Sequence, residues 1–126
     1  MSSAGASTVM ILGSEAHFIY LVRYYTERSG HQALVAPIDE EAITLAEQKR
    51  PAMIMLESDL MLPSSRDLLR ALKTNRATRD IPVVVCSWQD EYTSILASEA
   101  DSYLQKPVAY EEFLAALKKV VRISGT

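Results

Sequence analysis

An α/β fold with a parallel sheet between two helical layers is predicted by three observations. Short apolar runs alternate five times with segments of helical period along the 126-residue chain. The runs are continuously apolar rather than alternating, which suits strands buried on both faces. Breakers mark the changes of period at Gly13, Gly30, Pro37, Pro51, Pro63 and Pro107. Right-handed crossovers then put helices on both sides of five parallel strands. The expected architecture is a flavodoxin-like (βα)5 three-layer sandwich with strand order 2-1-3-4-5.

Each element has its own justification. Residues 8–12 (TVMIL) form a β-branched and apolar strand ended by Gly13. A helix follows with Phe18, Leu21, Val22 and Tyr25 on one face, Ser14 as its expected N-cap and Ser29-Gly30 as its stop. Gln32–Ala36 is the second strand, and Asp39 is expected to cap a helix whose apolar face is Ala42, Leu45 and Ala46, running to Arg50. The third strand is Ala52–Glu57, inside the stretch RPAMIMLESDLMLP (Arg50–Pro63). Ser64 with Asp67 resembles a capping box that opens a helix through Leu68, Leu69 and Leu72. Pro82–Cys86 is the fourth strand, Glu91–Glu99 a weaker helix and Ser102–Leu104 a short fifth strand. The last helix, Tyr110–Arg122, carries the stripe Phe113, Leu114, Leu117 and Val121.

Composition bounds the function. With 48% hydrophobic and 23% charged residues, the chain suits one domain over residues 8–126, preceded by a flexible tail over 1–7. A net charge of −3 with no basic cluster disfavours nucleic-acid binding by this domain alone. One cysteine excludes an internal disulfide and fits a reducing compartment; Cys86, in the most apolar strand, reads as an inert core thiol. No apolar stretch approaches the roughly 20 residues of a membrane span, and MSSAGAS has no apolar signal core. His17 and His31 have no partners at metal-ligand spacing, and His17, Tyr20 and Tyr24 on one side of the first helix are expected as edge-of-core packing, with a partner patch as the alternative.

In open α/β sheets chemistry collects beyond the carboxyl ends of the strands. The third strand ends in the acids Glu57 and Asp59, the fourth in Ser87, and the fifth leads to Lys106-Pro107. The third strand with its leading Pro51, the segment ATRDIPVVVCS (Ala77–Ser87) and DSYLQKP (Asp101–Pro107) resemble the receiver domain of bacterial response regulators. The resemblance covers about Thr8 to Val121 and implies a signalling module of the two-component (phosphorelay) type in the cytoplasm, not an enzyme. It implies an acceptor at the end of the third strand and Mg²⁺ held by acids at the end of the first. Ser87 and Lys106 match the family's phosphoryl-binding residues, Tyr103 the switch aromatic, and Lys106-Pro107 a peptide bond often cis. A kinase or output domain is the implied partner, on the face of the fourth helix, fifth strand and fifth helix with Tyr92, Ile95, Tyr103 and Tyr110, where homodimerisation is also open.

The departures alter the chemistry. Gly13-Ser14 stands where the family has its acid pair, with only Glu15 beside it. The gapless register puts Glu57 at the acceptor position; a rival register, with Pro63 four residues after Asp59, makes Asp59 the acceptor. Mg²⁺ needs oxygen ligands anchored by carboxylates, and Gly13 and Ser14 supply no charge. A Glu acceptor moves the carboxylate by about 1 Å, a misplacement that can cost about 10²-fold in rate. A degenerate receiver, or pseudo-receiver, without a cofactor is the expected reading. In it Glu57 either reaches Lys106 and Ser87 in partial imitation of the phosphorylated state or simply neutralises Lys106. Trp88 either roofs the pocket or packs over its loop. The alternatives are a working receiver using Asp59 with weak Mg²⁺ at Glu15 and Asp59, and a small nucleotide-binding enzyme on the same fold. Against the last, no GxxxxGK[ST], GxGxxG or GxSxG motif is present.

Overall fold

β1 (Thr8–Leu12) lies inside the sheet, hydrogen-bonded in parallel to β2 (Gln32–Ala36) on one side and to β3 (Met53–Glu57) on the other. β4 (Val83–Ser87) and β5 (Ser102–Gln105) extend it, giving the order β2-β1-β3-β4-β5. The computed structural model describes residues 7–58, 64–90 and 99–125. Among these the helices are α1 (Ala16–Arg28), α2 (Glu41–Lys49), α3 (Ser64–Thr74) and α4 (Tyr110–Gly125). The flavodoxin-like order expected from the sequence is the observed one.

Side-chain alternation along the central strands divides the core in two. Met10, Leu12, Ile54, Leu56, Val83 and Val85 pack against Ala42 and Ala46 of α2 and Leu68, Leu69 and Leu72 of α3. Val9, Ile11, Met53, Met55, Val84 and Cys86 pack against Phe18 and Val22 of α1 and Phe113, Ala116, Leu117 and Val120 of α4. β3 and β4 are buried along their whole length, which is why both read as unbroken apolar runs. The edge strand β2 is different: Gln32 is exposed and Val35 is 39% exposed, because a sheet edge has neighbours on one side only. Burial pushes the Cys86 thiol well above its ordinary range, with Lys106 opposing the shift.

Several boundaries differ from the sequence expectations. The N-cap of α1 is Glu15, whose carboxylate accepts from His17 N and Phe18 N, so the cap falls one residue after the expected Ser14, whose amide donates to Glu57. Glu40 holds the cap position of α2, although Asp39 Oδ1 still accepts from Glu41 N at 2.9 Å. Arg50 leaves α2 in the left-handed region at φ 45°, and β3 starts at Met53, so that Ala52 lies outside it. β4 is displaced by one residue to Val83–Ser87, β5 gains Gln105, and α4 continues to Gly125. Tyr20 and Tyr24 are 68% and 48% exposed and His17 is exposed, so these three do not pack at the core edge. The helix expected at Glu91–Glu99 lies, except for Glu99, outside the described residues, as do the side chains of Ser64 and Val121.

Ile54→Ala is expected to cost about 2–5 kcal/mol in denaturant unfolding, because Ile54 is fully buried between β1 and β4. A second outcome concerns Glu99, which pairs with Arg66 and Arg70 of α3 at 3.8 and 3.2 Å. The hydrogen bond from Arg70 holds the Glu99 carboxyl below its ordinary range. A depressed folded-state value means the contribution is present above the unfolded value and lost as pH falls through the folded one. Glu99→Gln is therefore expected to flatten the acid-side loss of stability without steepening the alkaline side, read from Tm against pH.

Candidate functional site

Glu57 is the last residue of β3. Met53, Met55 and Glu57 share one side of the strand, so the pattern that buries two methionines under α1 and α4 also buries a carboxylate. Glu57 is 0% exposed. Burying an unpaired carboxylate costs several kcal/mol or more, so its oxygens must find partners. Oε2 lies 2.6 Å from Lys106 Nζ. Oε1 accepts from Ser14 N at 2.7 Å and Glu15 N at 3.1 Å, at the turn between β1 and α1. Charge-assisted bonds from an ammonium and from backbone amides are the strong kind, and here they satisfy both oxygens.

Gly13 makes this arrangement possible. A Cβ at position 13 would stand 2.7 Å from Glu57 Oε1, 3.2 Å from Phe18 Cδ2 and 3.3 Å from Glu57 Cβ. The glycine is required for close approach of side chain to backbone. Two departures that are far apart in sequence, at 13 and 57, are thus in contact.

Lys106 reaches the site from just beyond β5. Its amide donates to Ser87 O at 2.7 Å, and the Lys106-Pro107 bond is cis, as the resemblance implies. Its buried ammonium also lies over the rings of Phe18, at 4.9 Å, and Trp88, at 5.6 Å. Both distances are within cation–π range.

The remaining residues are placed differently from the expectations. Ser87 is buried, but its hydroxyl accepts from Gln89 N at 3.1 Å, serving its own loop instead of meeting Glu57. Half-buried Tyr103 donates its hydroxyl to Gln89 O, so the expected pocket serine and the expected switch aromatic hold the same loop residue. Trp88 is 59% exposed; it flanks Lys106 and leaves much of its indole in solvent, so it is an incomplete roof. Pro107 is exposed. Asp59 lies outside the described residues, and so do Tyr92 and Ile95. The sequence reading did not find the amides of Ser14 and Glu15, the ring of Phe18, or Ser65, whose hydroxyl donates to Glu57 O at 2.9 Å and ties α3 to the end of β3. A glycine directly after β1 is the signal that could have marked this close approach.

The family resemblance implies Mg²⁺, and the described residues do not fit it. Mg²⁺ takes oxygen ligands in octahedral geometry. Here the Glu57 oxygens face two N–H donors and an ammonium, and the Glu15 carboxylate is turned to the amides of its own helix. Among the described residues no group of three or more His, Cys, Asp or Glu side chains is placed to hold a metal ion.

Lys106→Met is expected to destabilise the fold by about 3–5 kcal/mol in urea unfolding, since it leaves the Glu57 carboxylate buried without its counter-charge. The double variant Lys106→Met/Glu57→Leu is expected to recover most of that loss. Additive losses in the two single variants would contradict a direct pairing.

No protein-family model matches the chain. Among curated proteins it is 32% identical over 123 residues to the phosphate regulon transcriptional regulatory protein PhoB of Pseudomonas aeruginosa, covering 94% of this chain and 53% of that one. It is 29% identical over 119 residues to the alkaline phosphatase synthesis transcriptional regulatory protein PhoP of Bacillus subtilis, covering 92% of this chain and 49% of that protein. The chain thus spans about half the length of these relatives. Protein PilH of Pseudomonas aeruginosa is 26% identical, with 90% of this chain and 96% of PilH covered. Among solved structures, the receiver domain of a sensor histidine kinase from Pseudomonas aeruginosa, with magnesium in its active-site cleft, superimposes with TM-score 0.80 at 16% identity, covering 93% of this chain and 98% of that one. The chemotaxis protein CheY4 of Vibrio cholerae gives TM-score 0.78 at 17% identity, covering 91% and 98%. Relatives along nearly the whole chain, and a fold shared with these structures, support its assignment as a response regulator receiver domain.

Proposed function

We propose that this receiver domain is a pseudo-receiver, a two-component signalling module that works through protein–protein contact without conventional phosphorylation of an aspartate. The observation that carries this reading is the state of Glu57, whose two oxygens are engaged by Lys106 Nζ and by the amides of Ser14 and Glu15 in a fully buried position. Accepting a phosphoryl group requires a free oxygen in line with the donor and positive charge to neutralise the transferring oxygens. At Glu57 the positive charge is already matched to the carboxylate.

The proposed partner is a kinase or an output domain, and the proposed location is the cytoplasm. Among the described residues no helix is long and apolar enough to cross a membrane. The proposed contact face includes β5 and α4, where half-buried Tyr103 and Tyr110 lie, and a homodimer through the same face belongs to this reading. Neither catalysis nor nucleic-acid binding by this domain is part of it. Conformational bias then comes from differential affinity of the partner for two states of the domain.

The test is incubation with acetyl phosphate and Mg²⁺ followed by intact mass, beside a titration of Trp88 fluorescence with beryllofluoride. The expected result is an unchanged mass and no saturable change in emission. A gain of one phosphoryl group overturns the proposal, and Asp59→Asn and Glu57→Gln then identify the acceptor.

A further inference from the structure

The cradle around Glu57 has the composition of an anion site: two adjacent amides aimed at one oxygen and a buried ammonium at the other. Two successive backbone N–H groups aimed at one oxygen, with an ammonium beside them, present the charge-assisted donors that an anion takes. We infer that the β1–α1 turn and Lys106 form a carboxylate-binding cradle whose resident ligand is the chain's own Glu57, with Gly13 and Glu57 as a matched pair that closes the site to Mg²⁺ and to free anions. This goes beyond the proposed function and stands whether or not a partner binds the β5–α4 face.

Three observations converge on it. The Lys106 side chain is almost fully buried, so its ammonium is committed to this space and to the carboxylate in it. The Phe18 and Trp88 rings flank that ammonium and limit the directions from which it meets an anion. The 2.7 Å approach to a Cβ at position 13 means that the carboxylate occupies the room a side chain there would need. A side chain at position 13 and the Glu57 carboxylate in its present position therefore compete for the same space. A cation is excluded because donors, not acceptors, line the cradle.

Truncating the resident ligand uncovers the site. Glu57→Ala removes a CH2–CO2⁻ group, close in size and charge to acetate. In thermal unfolding at fixed ionic strength, sodium acetate is expected to raise the Tm of Glu57→Ala saturably, by roughly 4–7 °C at about ten times its Kd. Neutral acetamide is expected to have no such effect, wild type is expected to respond to neither, and MgCl2 against matched NaCl is expected to leave wild type unmoved. An equal acetate response in wild type, no response in a folded Glu57→Ala, or a saturable Mg²⁺ shift of wild type overturns the inference. Should Glu57→Ala fail to fold, Gly13→Ala is compared in the wild-type and Glu57→Asp backgrounds. A smaller Tm loss in the Glu57→Asp background supports the matched pair, because the shorter side chain withdraws from position 13. Equal losses overturn it.

Discussion

The ion pair between Glu57 and Lys106 is the constraint on which the strand-end surface depends. It joins the end of β3 to the segment just after β5, across the intervening β4, and both partners are buried. A buried pair contributes little net stability by itself, because desolvation offsets the Coulomb attraction. Its structural consequence is larger. Once one member is buried the other must meet it, so the β1–α1 turn, the end of β3 and the approach to Pro107 are held in one arrangement. The two amides of the β1–α1 turn extend the same network to the start of α1.

The network also explains a distribution of roles that residue types alone leave ambiguous. Glu15, an acid in the neighbourhood where the family keeps metal ligands, spends its carboxylate on the free amides of α1. Helix N-termini leave such amides without partners, and an acid there also meets the positive end of the helix dipole. Ser87 and Tyr103 brace Gln89 from two sides and so order the turn after β4. Trp88, between them in sequence, is left largely in solvent with one face toward the ammonium. The space among these strand ends is assembled around an internal charge.

Exposed Tyr20 and Tyr24 illustrate a limit of period-based reading. Both sit on a helix whose inward stripe is Phe18, Val22 and Thr26, and their aromatic character suggested the core while their position on the turn did not. Thr26 is buried in their place, with its hydroxyl bonded to Val22 O at 2.8 Å. A threonine that satisfies its hydroxyl within its own helix is an acceptable core residue, and hydropathy alone does not identify it.

The architecture was legible in the sequence because burial on both faces forces strands such as MIMLE and VVVCS to be apolar at every position, and breakers bound them. Helices on both faces followed from alternation of elements and the handedness of crossovers, and the strand order from the flavodoxin-like fold expected on that basis. The candidate positions Glu57, Ser87 and Lys106 were legible for the same reason, as polar residues at strand ends. Their partners were not. Which oxygen meets which donor depends on approach distances between segments 42 to 49 residues apart, and hydrophobic period carries no information about them. The sequence determined that Gly13 lacks a side chain and that Glu57 is longer than aspartate. Only the tertiary structure decided that these two departures touch, because parallel β1 and β3 bring their ends side by side and leave room for one side chain between them.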